Sequence, residues 1–166
     1  MKTKSQPRAG WASAFAAMAA AGDDALLDGA DVDVRAVIRI DHLALWTPNL
    51  ERLASFYVAY FGGAPGAKYC NPAKGFESCF VTFEGGGRLE LMNTTALNPV
   101  AHAPGAQRMG LTHFALAIGS EQQVDALTVR LRADGYAVID GPRRTGDGYY
   151  ESVVLDPDGN RVEITA

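Results

Sequence analysis

The sequence holds only two cysteines, Cys70 and Cys79, among its 166 residues. Two thiols cannot build a disulfide framework or a four-ligand zinc knuckle. The simplest reading is a pair of reduced thiols in a cytoplasmic protein, with a bridge closing the short loop between them as the alternative. Basic runs are missing as well. Lys plus Arg number 15 and Asp plus Glu 19, a formal net charge of −4. No cluster of Lys or Arg forms the basic face with which nucleic-acid binders hold phosphates. No apolar stretch reaches the roughly 18 residues that a spanning helix needs. What remains is ordinary, with 48% hydrophobic and 20% charged residues. That is enough apolar material for a folded core, and it argues against a disordered chain. The length fits one domain, or two small modules sharing a core.

Residues 1–36 differ from the rest. A polar, basic start is followed by an alanine-rich stretch and then by Asp23, Asp24, Asp28, Asp31 and Asp33. The order imitates a secretory signal, but the apolar run contains few strongly hydrophobic side chains. The composition predicts an alanine-rich helix over residues 11–27, since alanine is the best helix former. Such a helix would pack on the main domain, residues 37–166, or on a partner chain. No chemistry is assigned to it.

From Val37 onward the chain says the same thing twice. The first pass opens on residues 38–46, strand-like by their alternation and β-branched content. Thr47-Pro48 then offers an N-cap and a first-turn proline. Leu50, Leu53, Ala54, Tyr57 and Phe61 follow at helical spacing, and Gly62-Gly63 ends the helix. Short strands are predicted near residues 68–71, 77–83 and 88–93, with Gly85-Gly86-Gly87 as a hairpin turn. The second pass opens on residues 111–118. Ser120 and Gln123 form a capping box, and Val124, Leu127 and Leu131 mark a buried helix face that Gly135 terminates. Strands are predicted near residues 136–140, 149–155 and 161–165, with a turn at Asp156-Pro157-Asp158-Gly159. The class is therefore α+β, with two β-α-β-β-β modules over residues 37–94 and 110–166 joined by a linker over 95–109.

The repeat carries a chemical landmark. Each opening strand has a histidine, His42 or His113, and each closing strand a glutamate flanked by apolar residues, Glu90 or Glu163. Side chains alternate along a strand. His42 therefore shares a face with Ile40 and Ala44, and Glu90 with Arg88 and Met92. His113 falls with Leu111 and Ala115, and Glu163 with Arg161 and Thr165. The bulky apolar residues point the other way, toward the helices. By the same rule Asp41 falls on the face opposite His42 and reads as structural. A carboxylate on an inner sheet face costs free energy unless it finds a partner. Two imidazoles and two carboxylates suit a divalent ion such as Zn²⁺, Ni²⁺, Co²⁺, Mn²⁺ or Fe²⁺.

These residues resemble the vicinal oxygen chelate superfamily, which includes glyoxalase and bleomycin-resistance proteins. The resemblance runs from about Ile38 to Ala166. It rests on Asp41-His42-Leu43-Ala44, Phe56-Tyr57, Thr112-His113-Phe114-Ala115-Leu116 and the C-terminal Asp156-Pro157-Asp158-Gly159-Asn160-Arg161-Val162-Glu163. It implies two modules forming a cupped mixed sheet, with one divalent metal held by His42, Glu90, His113 and Glu163. A His-Glu-His-Glu set is similar to the bacterial type of glyoxalase I. That likeness implies a lyase or isomerase that moves a proton between adjacent carbons of a hemithioacetal through an enediolate. Glu163 would then be the base and Glu90 the second acid/base. Glyoxalase I usually carries an Arg four residues after its first ligand and an Asn four after its second, both holding glutathione. Here those positions are Trp46 and Thr94, with Asn93 one residue away, so glutathione is not carried over. Trp46 is placed instead to stack on a flat or apolar substrate.

Other readings stay open. Some relatives sequester antibiotics without catalysis, and others are dioxygenases or thiol transferases on the same scaffold. Arg143-Arg144 reads as a solvated loop or as an anion clamp at the cup. Either Tyr149 or Tyr150 would line the cup, and His102 reads as a linker residue. The family often builds its sites between subunits, so a homodimer is expected.

Overall fold

The computed structural model describes residues 39–97, 106 and 109–166. The helix expected over 11–27, His102 and most of the linker lie outside the described residues. The first module runs β1 (Leu43–Trp46), α1 (Leu50–Phe61), β2 (Ala64–Pro65), β3 (Tyr69–Asn71), a 3₁₀ turn (Pro72–Lys74), β4 (Phe76–Thr82) and β5 (Arg88–Thr94). The second runs β6 (Phe114–Ala117), α2 (Glu121–Ala133), β7 (Val138–Arg144), β8 (Tyr150–Leu155) and β9 (Arg161–Thr165).

Each module builds its own mixed sheet. The orders are β1-β5-β4-β2, with β3 also on β4, and β6-β9-β8-β7. In both, the opening and closing strands are parallel neighbours at one edge, and the remaining pairs are antiparallel. A helix covers one face of each sheet. Leu45, Val81, Leu89 and Leu91 are buried with Leu50, Leu53, Phe56 and Tyr57 of α1. Val154, Val162 and Ile164 are buried with Val124 and Leu131 of α2 in the same core. Cys79 also lies in this core, and both cysteines are free thiols. Inside the second half, Thr128 donates to the Val124 carbonyl at 2.6 Å and meets the Ser152 hydroxyl at 2.6 Å. Two buried hydroxyls thereby satisfy each other.

The local signals hold, with three shifts. First, the opening strand begins at Leu43, so Asp41 and His42 precede regular pairing. Second, α1 is capped by Asn49, whose side chain accepts from the Arg52 amide. Thr47, two residues earlier, is buried and braces the Asn49 backbone, its hydroxyl 3.1 Å from both the amide and the carbonyl. Gly62 ends α1 in the left-handed region, where glycine pays no steric cost. Third, Arg143 and Arg144 are not a loop but the end of β7. A proline argues against a central strand, yet β7 is the edge strand of its sheet, where the missing N–H is tolerated. Gly141 is required there, because a Cβ would come 2.5 Å from the Glu151 carbonyl oxygen.

The modules are tied through α1. Phe56 packs on Tyr136 with ring centroids 4.9 Å apart. The Tyr57 hydroxyl donates to Asp156 Oδ2 at 2.8 Å, and Arg52 pairs with Asp158. Asp156 also accepts from the Asn160 side chain and from the Asp158 and Asn160 amides, each at 2.9 Å. Burial pushes both the Asp156 carboxyl and the Tyr57 hydroxyl up. The Asp-Pro-Asp-Gly turn is thus a clasp between modules as well as a tight turn.

Candidate metal centre

Register brings each histidine to its glutamate. On the parallel pair β1–β5, Ala44 is opposite Glu90, and His42 sits two residues before Ala44. On β6–β9, Ala115 is opposite Glu163, and His113 sits two residues before Ala115. The copies therefore reproduce one geometry. His42 Nε2 lies 3.5 Å from Glu90 Oε2, and His113 Nε2 lies 3.3 Å from Glu163 Oε2. The glutamate side chains are only 20% and 16% exposed, against 37% and 42% for the imidazoles. Carboxylates this covered need a positive partner.

The spacing within each pair fits two donors to a common ion. Metal bonds to imidazole nitrogen and carboxylate oxygen are about 2.0–2.2 Å, so two donors on one ion stand roughly 3 Å apart. A neutral imidazole and a carboxylate facing each other through lone pairs repel unless a proton or cation lies between them. The structure does not bring the two pairs of one chain together. Among the described residues no three His, Cys, Asp or Glu side chains group as a metal site. One chain offers two half-sets.

The surroundings of the two half-sets differ. At the first, His42 Nδ1 is 2.9 Å from Asp41 Oδ2, and Arg88 also pairs with Asp41. Hydrogen bonds from His42 and then Arg88 hold the Asp41 carboxyl below its ordinary value. Phe80, opposite Glu90 on β4, meets the His42 ring edge-on at 5.4 Å, and the Arg88 guanidinium lies 4.7 Å from its centroid. Farther along the same face stand Trp46, Phe76 and Tyr69. Phe76 is 6.3 Å from each of the other two rings, and Trp46 is 49% exposed.

At the second half-set the neighbours are charged. Arg143 binds Asp140 through Nη2 at 2.6 Å and Nε at 3.1 Å, and lies 3.5 Å from Glu151. The Asp140 hydrogen bond pushes the Arg143 guanidinium up, and Glu163 adds to the shift. Glu151 was not legible as a site residue. It is opposite Thr165 on the strand beside Glu163, with its side chain 12% exposed. Burial first and the Glu163 charge second push its carboxyl up. Strand parity alone could have found it, two residues before Val153, the register partner of Glu163. Tyr150 turns to the helix side, donating to Asp125 of α2 at 2.7 Å, while Tyr149 is exposed.

Asp41 departs from the expected reading. The alternation rule places it opposite His42, but both residues precede β1, so that rule does not govern them. Its carboxylate folds back onto the imidazole.

Comparison with known proteins identifies the family and the fold. The family model described as Glyoxalase/Bleomycin resistance protein/Dioxygenase superfamily matches residues 39–164. An uncharacterised Bacillus subtilis (strain 168) protein, YqjT, is 42% identical over 62 residues, which cover 36% of this chain and 48% of that protein. The chain thus matches about half the length of that relative. Among solved structures, the Leishmania major glyoxalase I, described as trypanothione-dependent, superposes with a TM-score of 0.62 at 20% identity, covering 78% of this chain and 86% of that one. A glyoxalase/bleomycin resistance protein/dioxygenase domain from Frankia sp. EAN1pec gives 0.66 at 16% identity, over 78% of this chain and 97% of that one. At these identities the solved structures establish the fold alone.

Proposed function

Because the chain belongs to the glyoxalase/bleomycin resistance protein/dioxygenase superfamily, we propose that it is a metal-dependent lyase or isomerase of the glyoxalase I type. The observation that carries this reading is the duplicated pair, His Nε2 facing Glu Oε2 at 3.5 and 3.3 Å. His42, Glu90, His113 and Glu163 would hold one divalent ion. When bound, that ion supplies Lewis acidity for negative charge developing on two adjacent substrate oxygens.

The chain's own residues do the rest. Glu163 takes the proton from one carbon, and Glu90, on the other half-set, serves the neighbouring position. His42 and His113 stay fixed as ligands. Glu163 suits the base because its carboxylate faces His113 Nε2 at 3.3 Å on the inner face of the sheet. Arg143, already balanced by Asp140 and Glu151, orders that flank. Trp46, Phe76 and Tyr69 form an apolar wall that takes a flat or hydrophobic substituent of the substrate. They stand on the same face as His42 and Glu90, which supports a substrate more apolar than a charged peptide thiol. Two copies of the chain would complete the site, the first half-set of one facing the second half-set of the other. The two free thiols accord with a cytoplasmic setting. The same apolar wall would also serve a protein that sequesters flat ligands without catalysis.

Elemental analysis of untagged protein, before and after loading with Ni²⁺, Co²⁺, Zn²⁺ or Mn²⁺, tests the reading. About one tight ion per chain, lost in His113→Ala, is expected, with turnover of hemithioacetals of aromatic or aliphatic aldehydes by the loaded protein. Ligand binding with no ion under any condition would leave the sequestering protein instead.

A further inference from the structure

The two half-sets share a register but differ in the residue that precedes the histidine. His42 follows Asp41, whereas His113 follows Thr112, which carries no carboxylate. At the first half-set, four side chains close a ring of contacts. Asp41 meets His42 Nδ1 at 2.9 Å. Arg88 pairs with Asp41 and lies over Phe80. Phe80 returns to the edge of His42. The imidazole is thus held at one nitrogen by a carboxylate and along its rim by an aromatic ring. Its other nitrogen faces Glu90.

An ionised carboxylate only accepts hydrogen bonds, so the proton between Asp41 and His42 belongs to Nδ1. In a neutral ring the Nε2 lone pair is then free and aimed toward Glu90. Metal-bound histidines commonly give their second N–H to such a carboxylate, which fixes the tautomer and raises the basicity of the ligating nitrogen.

We infer that Asp41, anchored by Arg88, is a positioning residue that locks His42 in the Nδ1–H tautomer and presents Nε2 to the cation shared with Glu90. The inference rests on the metal-centre reading above, but its first consequence shows in the metal-free protein. The first half-set is pre-organised before any ion arrives. The second has no carboxylate beside His113 in sequence.

Long-range ¹H–¹⁵N spectra of the metal-free protein test the tautomer directly. The wild type is expected to show neutral His42 protonated on Nδ1, and Asp41→Ala to shift that population toward Nε2–H. Chelator competition should then show metal affinity falling about 10–100-fold in Asp41→Ala. Asp41→Asn, which keeps an acceptor oxygen, should recover part of the loss, and Thr112→Ala should leave affinity within about twofold. A wild-type His42 protonated on Nε2, or unchanged affinity in a folded Asp41→Ala variant, overturns the inference. If the wild type binds no metal, the metal-centre reading fails while the Nδ1–H spectrum still supports Asp41 as the group that positions His42.

Discussion

Set side by side, the two modules place the same His–Glu pair at the same register and then dress it in opposite ways. In the first, the pair is bordered by Phe80, Phe76, Tyr69 and Trp46, with Asp41 and Arg88 at one end. In the second, Arg143, Asp140 and Glu151 crowd Glu163 with charge. Strand pairing copies geometry faithfully, because a one-residue slip would turn the whole hydrophobic set away from its helix. The inner face carries no such penalty, so its neighbours are free to diverge. One pair is thus bordered by aromatic rings, and the other by charged side chains.

The strongest way to break this comparison is at the glutamates. Glu163→Gln, loaded with metal, is expected to lower kcat by about 10²–10⁴-fold, the usual contribution of general acid–base catalysis. Activity retained in the loaded variant would remove Glu163 as the base.

A second asymmetry concerns stability. The turn after β8 ties the modules together through Asp156, which accepts four hydrogen bonds. The matching turn of the first module is Gly85-Gly86-Gly87, where a Cβ would meet open space. Asp156→Ala is therefore expected to cost about 3 kcal/mol in urea unfolding, since it strands several buried donors. Gly85→Ala should stay within about 0.5 kcal/mol.

The smallest effect is a pH dependence. Burial and Glu163 raise the Glu151 carboxyl above its ordinary value of 4.5. The folded state therefore holds this proton more tightly than the unfolded chain. The stability from that protonated form is fully present below 4.5 and is lost as the pH rises through the folded value. Glu151→Gln is expected to be more stable relative to wild type at neutral pH than at pH 4, as read from unfolding midpoints. A difference that does not change with pH would show that Glu151 titrates normally.

Much of this was legible in the sequence, and the reasons for the remainder are physical. Periodicity and turn chemistry exposed the two modules, the Ser120 cap, the Gly62 stop and the two repeat-related His–Glu pairs. Each is a local pattern repeated at a fixed offset. Asp41 escaped because alternation applies only inside a regular strand, and β1 starts after His42. Arg143 and Arg144 read as loop because Pro142 argues against a strand, and the sequence does not show that β7 is an edge. Glu151 escaped because its character comes from burial and from Glu163 across the sheet. The Asp-Pro-Asp-Gly motif was legible as a turn, but its partner Tyr57 lies 99 residues away.

The central claim is that the two half-sets meet on different copies of the chain. Mixing His42→Ala with His113→Ala, after subunit exchange, tests it most directly. If sites form between copies, half of the mixed dimers' sites receive an intact histidine from each chain. Metal binding and activity should then return to about a quarter of the wild-type level at equal mixing. If the mixture stays as inactive and metal-free as the separate variants, the four donors do not assemble across two chains.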